Sequence, residues 1–183
     1  MMRPLILALA LIPLATAAVP QKGTEILWDK YGVAHVYAKS TEDLFYGYGW
    51  AQAQSHGDLL LHLYGESRGR AAEYFGLSNL QAANLQADDW VWTNGVPARA
   101  AQWLQQQTPE FRSYLGVFAK GINDYAAKHP EALSAESRRV LPITALDPIQ
   151  HTHRIVHYTC RPKTASSRCA TALRTDDRFL SSV

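Results

Sequence analysis

The chain has 183 residues, 18 basic and 16 acidic side chains, a formal charge of +2, 47% apolar residues and 19% charged residues. That is ordinary globular usage, with enough length for one domain with a real core. Repeats and low-complexity segments are absent, and the near-balanced charge leaves no electrostatic footprint for a nucleic-acid partner.

Met1 to Ala18 carries one early cation, Arg3, an apolar run from Leu5 to Leu14, and Ala15 and Ala17 in A-x-A spacing. This predicts a secretory signal peptide over residues 1–18, because the run contains Pro13 and falls short of the roughly 20 apolar residues that a membrane anchor needs. Removing Arg3 with it leaves 17 of the 18 basic residues against 16 acidic ones, and a mature chain from near Ala18 with no membrane attachment.

Two short apolar runs follow, Glu25 to Trp28 and Val33 to Ala38, joined by Asp29, Lys30, Tyr31 and Gly32. Their alternation and the linking glycine predict a β-hairpin. Ser40 with Asp43 three residues on marks a helix start, offering a side-chain oxygen to the first free amides and a carboxylate to the positive first turn. Leu44, Phe45, Tyr48, Ala51 and Gln52 then form one helical stripe. Gly47 and Gly49 interrupt it, and since each costs about 1 kcal/mol relative to alanine, the pair points to the close approach of another backbone. A break is expected at Gly57, then Leu59 to Tyr64 leading into Gly65, and a second helix from Ser67, its N-cap, to Phe75 and the stop at Gly76.

Leu77 to Thr93 loses clear periodicity and reads as irregular or as a short helix, with Trp90 and Trp92 filling the core or forming a carbohydrate or acyl platform. Asn94 to Pro97 reads as a loop. Helices resume over Ala98–Gln107 and Pro109–His129, the second carrying a stripe of Phe111, Tyr114, Leu115, Phe118, Ile122 and Tyr125 behind Thr108 as N-cap. A last helix is expected from Asp147 or Pro148 to Tyr158. From Cys160 to Val183 no helical or strand period survives, and this part reads as a disordered tail or as sequence from another reading frame. Cys160 and Cys169 have the spacing to pair in an oxidising compartment.

Gly65-Glu66-Ser67-Arg68-Gly69 matches the G-x-S-x-G pattern of a nucleophile elbow, with Asp147 and His151 or His157 following in the order of a triad. No HGGG-type segment or strand-helix alternation accompanies it. Asp58, His62 and Glu66 fall at i, i+4 and i+8, one face of a continuous helix and a set able to bind a divalent metal. Gly57 and Gly65 weaken that continuity, and side-chain pairing on a solvent face is the ordinary reading. Of His151, His153 and His157, the last two share a face, and two ligands do not complete a metal site.

Taken together, the strand Glu25 to Trp28, the run Asp29-Lys30-Tyr31-Gly32-Val33-Ala34-His35-Val36-Tyr37-Ala38, and Asp43-Leu44 at a helix start form the first motifs. Gly47-Tyr48-Gly49-Trp50-Ala51-Gln52-Ala53-Gln54 and Arg68-Gly69-Arg70-Ala71-Ala72-Glu73-Tyr74-Phe75-Gly76 complete the set. In this order they resemble the beginning of the α-subunit in the penicillin acylase family, with weaker similarity to about Tyr158. Many members have Ala-Gln-Asp-Arg where this chain has Ala53-Gln54-Ser55-His56, which leaves the acyl preference open.

The resemblance implies a mainly α fold with an N-terminal β-hairpin, part of the αββα architecture of N-terminal-nucleophile hydrolases. Residues 19–159 would be the α-subunit region, with a β-subunit of the same precursor as partner and a small N-acyl compound as substrate. It implies a periplasmic or secreted protein. The family hydrolyses amides with the N-terminal Ser of its β-subunit, so the resemblance carries no catalytic residue and no metal ligand onto this chain, and it predicts that this chain alone is inactive. Calcium belongs to the complete family enzyme, held mostly by the β-subunit. The segment of the last helix that would begin to line the acyl pocket contains Ile155, Val156, Tyr158 and Thr159. The competing expectations are a secreted, non-catalytic helical binding protein and an esterase acting through Ser67.

Overall fold

The computed structural model describes residues 23–77 and 82–159. The expected signal peptide, the 160–183 segment and the Cys160/Cys169 pairing lie outside them. Strands β1 (Glu25–Trp28) and β2 (Ala34–Tyr37) pair antiparallel, with Ile26 opposite Val36 and Leu27 opposite His35. The Asp29 carboxylate closes the turn by accepting from the amides of Tyr31 at 2.8 Å and Val33 at 2.9 Å. Helices α1 (Thr41–Ser67), α2 (Ala71–Phe75), α3 (Ala83–Thr93), α4 (Val96–Gln106), α5 (Pro109–Lys128) and α6 (Leu146–Thr159) make up most of the rest. The protein is therefore mainly α with an N-terminal hairpin.

Helix α1 begins where the sequence placed it, with the Ser40 hydroxyl accepting from the Asp43 amide at 3.0 Å. The break expected at Gly57 is a kink one residue earlier: His56, at φ −143° and ψ 30°, is non-helical, and the helix resumes beyond it and runs on to Ser67. Gly57 itself makes a close contact, because an added Cβ there would strike the Leu133 side chain. The expected second helix from Ser67 is consequently replaced by α2, which starts at Ala71. Its first amides are capped from a distance, Ala71 N–H donating to Asp88 Oδ1 at 2.7 Å and Ala72 N–H to Asp88 Oδ2 at 2.9 Å.

Asp88 belongs to α3, where an irregular segment was expected. The buried face of this helix is Asn84, Asp88 and Val91, at i, i+4 and i+7. Two of the three are polar, so the helix turns inward a face that hydrophobic periodicity does not register. The Asn94 to Pro97 loop is also shorter than expected, since α4 starts at Val96 behind Gly95 at φ +62°. Trp92 is 59% exposed and spans the turn after α1, its indole N–H donating to the Gly69 carbonyl at 2.9 Å. Core filling is thus the wrong description of Trp92.

The main packing is α1 against α5, through reciprocal glycines. A Cβ on Gly49 would overlap the Phe118 carbonyl oxygen and lie 2.9 Å from its carbon, and one on Gly121 would overlap the Tyr46 carbonyl and lie 2.9 Å from the Trp50 nitrogen. The backbones touch, and Phe118, Ile122 and Tyr125 of α5 fill the core with Leu61, Tyr64 and Ala53 of α1. Gly47 does the same for the hairpin, with Thr24 Cγ2 and Val36 Cγ1 at 2.6 and 2.7 Å from the position a Cβ would take.

Just past the end of α1, Arg68 forms a fork on Asp147, Nε to Oδ1 at 2.6 Å and Nη2 to Oδ2 at 2.8 Å, and also donates to the carbonyls of Val140 at 2.6 Å and Pro142 at 2.9 Å. Asp147, 1% exposed, further accepts from the Thr144 amide and hydroxyl. Burial opposes the Arg68 charge, the Asp147 hydrogen bonds and charge overcome it, and the guanidinium is held protonated above its ordinary range. This anchors the start of α6. Further along, α6 packs on α4 with the His153 ring 4.6 Å from Trp103 and 5.0 Å from His157.

Two outcomes follow from this packing. Gly49→Ala and Gly121→Ala should each destabilise the protein by about 2–4 kcal/mol, because rigid backbone must move. Gly116→Ala, where an added Cβ meets nothing, should stabilise it by roughly 0.5–1 kcal/mol. Urea unfolding of the three variants measures both. The second outcome concerns pH. Burial, then the charges of His157 and Arg99, push His153 down to about 4, against about 6.5 in an unfolded chain. Stability present above about 6.5 should be lost as pH falls toward about 4, since the unfolded chain takes up a proton that the folded one refuses. Unfolding midpoints measured across that window should fall in the wild type and fall less steeply in His153→Phe.

Candidate functional site

Helix α6 carries the residues expected to line an acyl pocket. Its inward side is set by Asp147, Gln150 and His153, all buried, and so its other side faces outward. Ile155 is 43% exposed and Val156 half-buried. Positions 158 and 159 complete the last turn, their side chains lying outside the described residues, and helical spacing puts 155 and 159 one turn apart. The structure thus places Ile155 on an open stretch of the helix.

The approach to that stretch is charged. Arg154 Nη2 pairs with Glu66 Oε2 at 2.6 Å, and His62 Nε2 lies 3.4 Å from Glu66 Oε1. The His151 ring sits 5.9 Å from Tyr64, and burial followed by the Arg154 charge lowers its pKa. Burial and then the Asp147 charge raise that of the Tyr64 hydroxyl. His151 Nδ1, His153 Nδ1 and His157 Nε2 are buried without a hydrogen-bond partner. Neutral rings tolerate this better than charged ones, which agrees with the lowered pKa of all three.

None of the metal readings is assembled. Asp58, although on the same helix as His62 and Glu66, accepts from the Ser134 amide at 2.9 Å and turns away from them, while Glu66 is taken by Arg154. His153 and His157 stack with their planes 27° apart. Among the described residues no group of three or more His, Cys, Asp or Glu is placed to hold a metal ion. Among the described residues a calcium ion has no fitting ligand set, and no chemical step runs through one.

Ser67 fits neither of its expected roles. It is the last residue of α1 and not an N-cap, it is 0% exposed, and its hydroxyl donates to the Tyr64 carbonyl at 3.0 Å. A nucleophile elbow holds its serine in the open with a base beside it. Here Asp147 is committed to Arg68, and His151 faces Tyr64. The G-x-S-x-G match reflects a helix end in which Gly69, at φ +67°, turns the chain under Trp92.

The pairings that position α6 escaped the sequence reading, although Asp147 was named there as the start of the helix. Arg68 and Asp147 are 79 positions apart, and Asn123 exchanges hydrogen bonds with the Ile143 backbone at 2.8 Å in both directions across 20. No local spacing signals such pairs. The only hint of Arg68 was its place in the Arg68-Gly69-Arg70 motif.

Against known proteins, the family model described as penicillin amidase matches residues 23–164. An acyl-homoserine lactone acylase, PvdQ, of Pseudomonas putida is 31% identical over 150 residues, which are 78% of this chain and 19% of that protein. The Pseudomonas fluorescens PvdQ is 30% identical over 83% of this chain and 20% of its own length. Penicillin G acylase of Escherichia coli is 30% identical over 60% of this chain and 13% of its own length. Among solved structures, a thermostable penicillin G acylase from Alcaligenes faecalis superposes with a TM-score of 0.64 at 25% identity, covering 87% of this chain and 83% of that one. The chain spans about a fifth of the length of the two PvdQ relatives. A family match over residues 23–164, most of the chain, makes this protein a member of the penicillin amidase family.

Proposed function

We propose that this chain is the α-subunit-type part of an acylase that hydrolyses linear N-acyl amides, and that it works only when joined to a β-subunit. The observation that carries this reading is the fold match: the chain covers 83% of one chain of a penicillin G acylase structure but about a fifth of the PvdQ relatives. Ser67, the serine of the G-x-S-x-G match, is buried with its hydroxyl donating to the Tyr64 carbonyl. In the proposed enzyme the N-terminal Ser of the β-subunit attacks the acyl carbonyl while its α-amino group takes the hydroxyl proton. That proton passes to the departing amine, and water then releases the acid from the acyl-serine ester.

The contribution of this chain is to bind and position. Ile155, Val156, Tyr158 and Thr159 would form part of the acyl pocket. The hairpin supplies the docking element: it is a two-stranded sheet, with Leu27, Trp28, Tyr31 and Val33 exposed. Such a ribbon is marginal by itself and is completed when a partner sheet adds to it. Tyr48 is also largely exposed, and Phe45 is shallowly packed on Tyr114 at 5.1 Å. No helix among the described residues is long and apolar enough to cross a membrane. Export to the periplasm or beyond rests on the apolar run from Leu5 to Leu14 with Ala15 and Ala17 in A-x-A spacing.

The test is reconstitution. The purified chain should hydrolyse neither an acyl-homoserine lactone nor a phenylacetyl amide above a buffer control, and a serine-directed phosphonate should leave it unlabelled. Co-expression with the β-subunit of a related acylase should give turnover. Hydrolysis by the chain alone, lost in Ser67→Ala, would overturn the reading.

A further inference from the structure

Helices α3 and α4 are joined by two residues, Asn94 and Gly95, and these form the only Asn-Gly pair in the chain. Such a pair is chemically labile, because glycine has no side chain to shield its amide nitrogen from the carboxamide before it. Here the fold restrains both reacting groups. Asn94 Nδ2 donates to the Trp90 carbonyl at 2.7 Å, which holds the carboxamide back along α3. The Gly95 N–H donates to the Trp92 carbonyl at 3.0 Å, so the nitrogen that would attack is engaged as well.

Backbone geometry adds a third restraint. Asn94 stands at φ −88° and ψ 3°. Closing a five-membered ring needs its Cβ and the Gly95 nitrogen nearly eclipsed about the Cα–C bond, a position about 120° away in ψ at a tetrahedral Cα. Turning ψ that far would pull on α4, where Gly95 at φ +62° leads directly into Val96, with Ala100 one turn on, both 0% exposed.

We propose that Asn94 is a covalent modification site gated by the fold, silent while α3 and α4 are docked and converted to aspartate or isoaspartate when their junction opens. In the step, the Gly95 amide nitrogen gives up its proton and bonds to Asn94 Cγ. The carboxamide nitrogen leaves with that proton as ammonia, and a succinimide remains. Water adds to either of its carbonyls, one opening leaving an aspartate and the other an isoaspartate with a longer main chain. Neither product suits the junction: a carboxylate has no hydrogen to give the Trp90 carbonyl, and it adds negative charge at the end of α3 that is already negative. The effect reaches α6 through α4, whose Trp103 ring lies 4.6 Å from His153. The site uses no residue of the proposed acyl pocket and stands apart from the acylase reading.

The experiment incubates the full chain at neutral pH along a guanidinium series, with circular dichroism reporting helix. The tryptic fragment 71–99 holds Asn94 together with Asn79 and Asn84, each followed by leucine, as internal references. Mass spectrometry of that fragment and methyl transfer by an isoaspartyl methyltransferase follow the conversion. In the unfolded chain Asn94 should convert well before Asn79 and Asn84. In buffer it should convert about tenfold or more slowly than in denaturant, because reaction then waits for an opening. Asn94→Asp should unfold at a lower guanidinium concentration than the wild type. A rate at Asn94 that does not fall as helix forms, Asn-Leu sites converting as fast as Asn94 in the unfolded chain, or an Asn94→Asp chain as stable as the wild type would each overturn the proposal. The rate comparison uses the wild-type chain alone, so it decides the matter even where Asn94→Asp fails to fold.

Discussion

Two helices touching backbone to backbone set the frame of this protein. Where α1 meets α5, Gly49 lies against the Phe118 carbonyl and Gly121 against the Tyr46 carbonyl, so neither position has room for a methyl group. This short distance brings Phe45 onto Tyr114 and lets the Tyr46 hydroxyl reach Asp124. Everything else hangs on the two ends of α1. Gly47 near its start admits the side chains of Thr24 and Val36, which seats the hairpin, and Arg68 just beyond its end reaches the start of α6.

The Arg68–Asp147 pair shows how a buried charge is made tolerable. A carboxylate at 1% exposure would be costly alone, but here it accepts the guanidinium fork and two bonds from Thr144, while the rest of the guanidinium is taken by the Val140 and Pro142 carbonyls. Removing one partner of such a pair typically costs about 3–5 kcal/mol, more than replacing both with well-packed apolar groups. The arrangement therefore speaks for placement more than for stability. It joins the end of α1, the turn before α6 and α6 itself, where the Arg154–Glu66 pair and the Tyr64–His151 ring contact add to it.

Much of the architecture was legible in the sequence because it was written locally. The strands appeared within a residue of their ends, α5 was read as Pro109–His129 and is Pro109–Lys128, and the glycines at 47 and 49 marked close approach before any neighbour was known. What failed was governed by distant partners or by polar burial. Helix α3 turns Asn84 and Asp88 inward, where Asp88 caps α2, and an apolar stripe cannot reveal a helix whose buried face is polar. The interruption expected at Gly57 lies at His56, and spacing does not show that Gly57 also admits the Leu133 side chain. Of the site, the helix that bears it was visible, whereas its anchor at Arg68 was not.

The functional account rests on one division of labour: this chain shapes and positions, and a β-subunit carries the reacting groups. Its exposed hairpin and the outward stretch of α6 are then surfaces made to be covered. Amide hydrogen exchange of the chain, with and without the β-subunit of a related acylase, tests this most directly. The account predicts slowed exchange over 25–37 and over the last turns of α6 when the partner is present, with little change at the start of α5. Identical exchange over the hairpin and α6 in both samples would contradict it.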